Sequence, residues 1–406
     1  MDAPIRLAST MTSMTLQWSH PSDNGGCAIT SYAVFRDDGA DGDISVEANA
    51  DFDTNVRDRP TLDQLLVTNF PVDSAGLTFR FTVVAYNHVG STTSNSASYI
   101  LASVPTAPVL APDNDPDTSD DTQIKVDFAA LSLQSETGGS TILSYNLQMD
   151  QSDGVFEDLF GVTQDVLTTT SLVTSPSIVQ GTTYGFRYRA RNIYGWSDWS
   201  PTTYILAARV PDAPPKPEFV SATDNSISLQ LYPSPDFGGS TVTRYELWMD
   251  QGSEDSEYSQ VSSYVATSLT MTHSVQWPTD SIVTGQVYSF KFLAENSKGV
   301  SEFSEIVSIA AIDPPAQAST PVIDYELSSS TSIFVSWQRN TDGEAPGGLI
   351  TGYSLFMDDG YGGRFTEILN TVGTSPLISE HLATDLSQSL TYRFKVVAYN
   401  YNTEAG

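Results

Sequence analysis

The sequence predicts an all-β chain of four consecutive antiparallel sandwiches, each of about 100 residues. Three observations lead there. A pair of motifs recurs four times, the apolar residues inside each repeat alternate with a period of two, and proline-rich joints separate the repeats.

The repeat is plain in the letters. Four segments read "YAVFRDDG" from Tyr32, "YNLQMDQSDG" from Tyr145, "YELWMDQG" from Tyr245 and "YSLFMDDG" from Tyr353, so successive tyrosines lie 113, 100 and 108 residues apart. Each follows a paired glycine: Gly25-Gly26, Gly138-Gly139, Gly238-Gly239 and Gly347-Gly348. Four later segments read "FRFTVVAYNHVG", "YGFRYRARNIYG", "YSFKFLAENSKG" and "YRFKVVAYNYN".

Alternation inside these segments means half-buried strands. In "YGFRYRARN", Tyr184, Phe186, Tyr188 and Ala190 share one face and the arginines take the other. "MTLQW" and "IFVSW" alternate too, and their closing Trp18 and Trp337 are expected to plug a core; Phe128 and Leu231 hold that place in the middle repeats. Runs such as "DDGADGD" and "DDGYGG" read as hairpin turns. "SVPTAP", "RVPDAPPKP" and "IDPPAQASTP" read as short stiff joints. The expected domains are therefore 1–103, 104–209, 210–312 and 313–406.

Several short strands, regular turns and this size describe a sandwich of the immunoglobulin-like class. A large residue closing the second strand, a Tyr opening the third, and "Y-x-F-x-V-x-A-x-N-x-x-G" near the end resemble the fibronectin type III domain. The resemblance covers essentially the whole chain four times over. It implies a fold and leaves function open, because such modules serve as spacers or binding units in many settings. It also implies corner tyrosines, with the ring inside and the hydroxyl on nearby backbone, at Tyr184, Tyr288 and Tyr392. A large apolar residue stands six positions before each: Ile178, Ile282 and Leu386. The first repeat departs, with Phe79 at the corner and Asp73 before it, and is expected to be less stable by about 1 kcal/mol on this account.

The second repeat carries an unusual segment, "YGFRYRARNIYGWSDWS", in a chain with only 18 Lys+Arg against 49 Asp+Glu. Residues two apart on one strand face are separated by about 6.5–7 Å. A flat ring between two flat guanidinium groups needs about 3.5 Å on each side. Arg187, Arg189 and Arg191 can thus form a comb, with Trp196 and Trp199 as teeth from the adjoining strand, each stacked pair contributing about 0.5–2 kcal/mol. "WSDWS" resembles the WSxWS motif of class I cytokine receptors. Those receptors carry a disulfide-bearing module just upstream, whereas Cys27 is the single cysteine here. The third repeat shows the same frame as "GVSEFS", with Val300 and Phe303 in place of the tryptophans. The segment is therefore read as a structural ladder.

The formal net charge of −31 repels nucleic acid and anionic lipid and keeps acidic loops and sheet edges apart. With one cysteine there is no internal disulfide and no Cys-based metal site, and Cys27 reads as a small turn residue. No signal peptide is legible, no apolar run is long enough to span a bilayer in this segment, and no Asn-x-Ser/Thr sequon occurs. The last point disfavours a glycosylated secretory protein. No catalytic set emerges: His20, His88, His273 and His381 fall one per repeat at unrelated places. Calcium is the alternative chemistry, since "DDGADGD" (Asp37, Asp41 and Asp43) and "PDNDPDTSDD" concentrate carboxylates near turns. EF-hand spacing is not met, because Gly39 stands where a ligand belongs and no Glu follows at the twelfth place. Trp248 points inward if its strand bulges and outward if it does not; an exposed position would mark a contact patch.

"MDAP" at the start copies "PDAP" of Pro211–Pro214, and "YNYNTEAG" stops where a last strand should follow. The fourth sandwich is expected to lack that strand, either because the chain is a piece of a longer array or because a neighbour donates it. These readings add up to a non-catalytic modular rod for spacing, adhesion or structural assembly through protein partners or self-assembly, without cofactor. The style of the turns resembles arrays in large surface or ciliary proteins of protists, which places the chain outside the cell or on its surface, or in an intracellular ciliary or cytoskeletal assembly. A ligand-binding receptor ectodomain and an accessory region of a larger enzyme are the alternatives.

Overall fold

The computed structural model describes residues 1–48, 56, 58–174, 178–252, 257–265, 272–340 and 349–404. It packs as two compact units, Met1–Ala208 and Arg209–Gly406. Strands dominate; helix is confined to the short turns Gln134–Thr137 and Tyr401–Glu404 among the described residues.

In the first unit, the sandwich containing the arginines shows the plan. One sheet has the order Thr170–Val173, Ile124–Asp127, Asp113–Asn114. The other has the order Phe156–Phe160, Ser144–Asp150, Thr183–Asn192, Gly195–Trp196, with Thr203–Leu206 also paired to Thr183–Asn192. Every pairing is antiparallel. Alternation drives the assembly. Tyr184, Phe186, Tyr188 and Ala190 turn inward and share one core with Ile124 and Val126 of the other sheet and Leu147 of the neighbouring strand. Burial pushes the Tyr188 hydroxyl up to about 12, and that hydroxyl donates to Ala129 O at 3.1 Å.

The same arrangement recurs three more times. The other sandwich of this unit closes around Met14, Leu16, Tyr32, Phe79 and Phe81. In the second unit, one core gathers Ile227, Leu229, Leu247, Phe290 and Phe292, and another gathers Val335, Trp337, Tyr353 and Leu355. Trp18, Phe128, Leu231 and Trp337 are all buried at the end of the second strand.

The last sandwich has a three-stranded second sheet, Thr366–Asn370, Ile350–Met357, Phe394–Asn400, where the others have five strands. Among the described residues no strand follows Phe394–Asn400. The consequence is visible in burial. Ile205 and Ala207, or Ile309 and Ala311, lie in the inner clusters of the complete sandwiches; without such a cover Phe394, Val396 and Ala398 are only half-buried.

The paired glycines sit at left-handed φ: 65° and 77° for Gly25 and Gly26, 68° and 84° for Gly138 and Gly139, 69° and 80° for Gly238 and Gly239. The fourth pair, Gly347-Gly348, lies outside the described residues.

Candidate functional site

The arginine face is built by strand register. Arg187 lies directly opposite Gln148, Arg189 opposite Asn146 and Arg191 opposite Ser144. The turn after Asn192 brings Trp196 beside Arg191 in the short strand Gly195–Trp196, while Trp199 lies in the extended chain beyond that strand. The Trp199 ring stands 4.5 Å from the Arg187 guanidinium carbon and 4.2 Å from that of Arg189. The Trp196 ring stands 4.7 Å from Arg189 and 5.5 Å from Arg191. A further ring, Phe156, covers the outer side of Arg187 at 3.9 Å. The series along the face is Phe156, Arg187, Trp199, Arg189, Trp196, Arg191.

Polar partners fix the cations edge-on. Arg187 Nε and Nη2 donate to Gln148 Oε1 at 3.0 and 2.8 Å, and Arg189 Nε donates to Asn146 Oδ1 at 3.1 Å. Gln148 and Asn146 both donate to Asp158 Oδ1 at 2.9 Å, so one carboxylate anchors two guanidinium carriers. Arg191 pairs with Asp165. Burial pulls the Arg189 guanidinium below its ordinary value, with Asp158 opposing and Arg187 adding to that pull.

The two serines of the motif hold the tryptophans in place. Ser197 N–H donates to Ala190 O and its Oγ accepts from Ala190 N–H; Ser200 does the same with Tyr188. Each Oγ then donates to the next carbonyl, Asp198 O or Pro201 O, at 2.8 Å. Ser301 and Ser304 repeat all of these bonds on Ala294 and Phe292. Serine is therefore the frame and the aromatic residue its decoration.

Cation over ring recurs on this face. Lys291 Nζ sits 4.2 Å from the Tyr258 ring and 4.0 Å from the Phe303 ring. Trp248 is paired without a bulge, points to the same outer face, and meets Phe303 edge-on at 5.8 Å. Its Nε1 donates to Glu246 Oε2 at 2.9 Å. In the last sandwich Lys395 Nζ lies 4.9 Å from Phe356 and 5.0 Å from Phe365.

The corner tyrosines accept backbone amides. Val179 N–H donates to the Tyr184 hydroxyl at 2.8 Å, Val283 N–H to Tyr288 at 2.9 Å and Ser387 N–H to Tyr392 at 2.9 Å. At this corner the first repeat is offset by one residue from the spacing of the others. Asp73 takes a φ of 61°, as Ser281 takes 61° and Asp385 takes 62°. The buried residue after it, in the place of Ile282 and Leu386, is Ser74, whose Oγ donates to Pro71 O at 2.7 Å. Phe79 is covered instead by the buried Arg36, at 5.4 Å from both Phe79 and Phe70. Arg36 stands where the other repeats have Met149, Met249 and Met357, and burial pulls its guanidinium down.

Two aspartates of the acidic turn, Asp37 and Asp41, face the guanidinium of Arg80. Asp37 is buried and accepts from Gly39 N–H, Arg80 N–H and Arg80 Nε, the last at 2.8 Å. Asp41 is exposed 3.8 Å from the same Arg80, and Asp43 is also exposed. Among the described residues no three His, Cys, Asp or Glu side chains converge as a metal requires. The recurring aspartate is instead a staple between strands. Asp358 repeats the Asp37 pattern on Arg393, and Asp250 accepts from Gly252 and Ser289 N–H. The Arg393 N–H and guanidinium hold the Asp358 carboxyl below the usual carboxylate range.

One grouping was not legible in sequence. Ser263 Oγ lies 3.0 Å from His273 Nε2 and donates to Asp280 Oδ2 at 2.9 Å. Here serine bridges the other two groups. In a nucleophilic triad the histidine stands in the middle, so this order does not activate the hydroxyl. Burial lowers the His273 pKa, with Asp280 opposing.

Each sandwich entry is built on one asparagine. Asn192 Nδ2 donates to Ser103 O at 2.7 Å and to Thr137 O at 2.9 Å. Asn296 Nδ2 donates to Arg209 O at 2.7 Å and to Phe237 O at 2.8 Å, and Asn400 Nδ2 donates to Asp313 O at 2.8 Å. In the first unit the Tyr194 hydroxyl also reaches Ile100 O, and Arg6 caps the Tyr194 ring at 3.8 Å. In the second, Asn402 pairs with both backbone groups of Ala310.

No family model matches the chain. "Fibronectin type-III domain-containing protein 3a" of Gallus gallus is 25% identical over 402 residues, covering 96% of this chain and 30% of that protein. "Neogenin" of Rattus norvegicus is 23% identical over 234 residues, 57% of this chain and 16% of that protein. "Exoglucanase B" of Cellulomonas fimi is 24% identical over 362 residues, 86% of this chain and 28% of that protein. The chain thus spans less than a third of the length of these relatives. The crystal structure of chicken CNTN1 FN1-FN3 domains overlaps with a TM-score of 0.37 at 17% identity, over 73% of this chain and 94% of that one. The described residues fold as consecutive antiparallel β-sandwiches, and over 96% of its length the chain is similar to a protein named for its fibronectin type III domains.

Proposed function

We propose that the chain is a non-catalytic modular rod that spaces, displays or assembles protein partners, divided into domains at 1–103, 104–209, 210–312 and 313–406. The observation that carries this reading is the asparagine at each entry. Asn192, Asn296 and Asn400 clamp the carbonyl of the incoming joint, so a sandwich is coupled to the chain that leads into it. The paired glycines are part of the same clamp. A β-carbon at Gly138 would stand 2.6 Å from Val104 O, and one at Gly238 would stand 2.6 Å from Val210 O. Joints seated on their own domain suit a spacer better than a tether.

The ladder of Arg187, Trp199, Arg189, Trp196 and Arg191 is a stabilising device of the second domain. Its cations are already hydrogen-bonded and stacked, which leaves little of them for a ligand. A cytokine-type receptor would need the disulfide-bearing module upstream, and Cys27 is free. The compartment that fits is the cell surface or the exterior, and no helix of the described residues is long and apolar enough to cross a membrane. Small-angle scattering of the whole chain tests the reading. A rod gives an elongated distance distribution, and self-association on light scattering adds assembly. A compact particle near the radius of a single globule of this length overturns it. The relative named Exoglucanase B favours the second reading, an accessory region of a larger enzyme.

A further inference from the structure

The first domain lacks a tyrosine at its corner, and its corner loop is held from outside. Phe79 stands where Tyr184, Tyr288 and Tyr392 accept a backbone amide, so the loop 71–77 has no phenol hydroxyl to close on. The entry turn of the second domain, residues 133–139, meets this loop. Gln134 Nε2 donates to Ala75 O at 2.7 Å. Beside that bond the two backbones touch: a β-carbon at Gly76 would stand 2.9 Å from Gly139 O, and one at Gly139 would stand 3.2 Å from Gly76 N. Only glycine at both places permits so close an approach.

Two further ties join the same pair of sandwiches. The Tyr194 hydroxyl, on the turn after Asn192, donates to Ile100 O in the strand Ala97–Ile100. Arg6, in the strand Ile5–Ser9, lays its guanidinium 3.8 Å from the centre of the Tyr194 ring. Burial pushes the Tyr194 phenol up, with Arg6 opposing, so the hydroxyl remains a donor at neutral pH. The ties thus reach three elements of the first domain: its corner loop, its last strand and its first strand. Ile5–Ser9 belongs to one sheet and Ala97–Ile100 to the other, so both layers of the sandwich are held. Relative motion is the ordinary expectation for tandem domains, and ties on separate elements oppose both tilt and twist.

We propose that the second domain is the brace of the first: its entry turn and Tyr194 close the corner that Phe79 leaves open, so the two sandwiches open and move as one body. This rests on the reading of the chain as a spacing rod. Its readouts are local to this pair, so it stands or falls separately from the scattering profile of the whole chain. The consequence is a division of labour. A side chain of the second domain sets the local stability of the first, and the pair acts as one stiff lever instead of two jointed beads.

The test is hydrogen exchange of the full chain, read by mass spectrometry on peptides from each domain. Gln134→Ala removes the bond to Ala75 O, and Tyr194→Phe removes the hydroxyl while keeping the ring under Arg6. Both changes lie in the second domain. Each should speed exchange in residues 71–83 and 97–102 of the first domain by about three- to tenfold, and the double variant by more. Exchange in residues 183–192, the core strand of the second domain, should stay as it was, which also shows that the variants fold. Faster exchange confined to residues 130–145 and 190–200, or none at all, would mean that these side chains serve only their own domain, and the proposal fails. Spin labels at Thr93→Cys and Gln151→Cys, with Cys27→Ser, test the motion. One narrow distance distribution that broadens in the double variant is expected; a broad distribution before any tie is cut overturns the single body.

Discussion

Replacing Trp199 by alanine removes the central ring of the series. That ring touches two guanidinium groups, at 4.5 and 4.2 Å, so two contacts disappear at once. Each is worth about 0.5–1 kcal/mol when exposed and about 2 when desolvated. Trp199 is half-buried and Arg189 is pulled down by burial, so the middle of the range applies and the pair should contribute about 2 kcal/mol. Lost apolar contact adds about 1 kcal/mol, for a total near 3. For a domain of this size that lowers the melting temperature by about 12–20 °C. Scanning calorimetry of the full chain should show one transition moving down and the others staying. A double-mutant cycle with Arg189→Ala then isolates the stacking, with an expected coupling of about 1 kcal/mol. A melting profile unchanged by Trp199→Ala, or zero coupling to Arg189, would refute the ladder and leave the tryptophans as surface ornament.

Other expectations follow from the same geometry. Tyr288→Phe leaves the Val283 amide without its acceptor and should cost about 1–2 kcal/mol, read from urea midpoints. Asn296→Ala breaks the bonds to Arg209 O and Phe237 O and should cost about 1–3 kcal/mol, with faster amide exchange at the entry turn. Asp358 has its folded pKa below its unfolded value, so its contribution is complete above about pH 4 and fades as the pH falls through the folded value. Acid should therefore loosen the last domain in the wild type, and Asp358→Asn should flatten that part of the acid profile. His273 is likewise depressed, by burial, so the third domain should be most stable above about pH 6.5 and lose stability as the solution is acidified. His273→Gln should remove this dependence in melts taken between neutral and mildly acidic pH.

Some features needed only the letters of the sequence. Alternation placed Phe186 and Tyr188 inside and the arginines outside, because a strand offers its side chains just two directions. The spacing of side chains along a strand matches the thickness of a ring, which is why a comb of Arg187, Arg189 and Arg191 could be conceived at all. Other features depend on which strands become neighbours. Phe156 belongs to the series only because Phe156–Phe160 pairs at the far edge of Ser144–Asp150, and nothing within its own segment marks it. Asp37 looked like a cation ligand in its acidic turn, yet Arg80, distant in sequence, lies across the strand ends and takes it. Ser263, His273 and Asp280 also meet only through the fold.

What the sequence by itself determined is the module: its period, its two-sided strands and its turns, all consequences of short-range stereochemistry and of where apolar residues recur; the corner tyrosines came from the family resemblance. What only the tertiary structure decided is who partners whom across strands and at the entries, because register and packing bring together residues that no local rule relates.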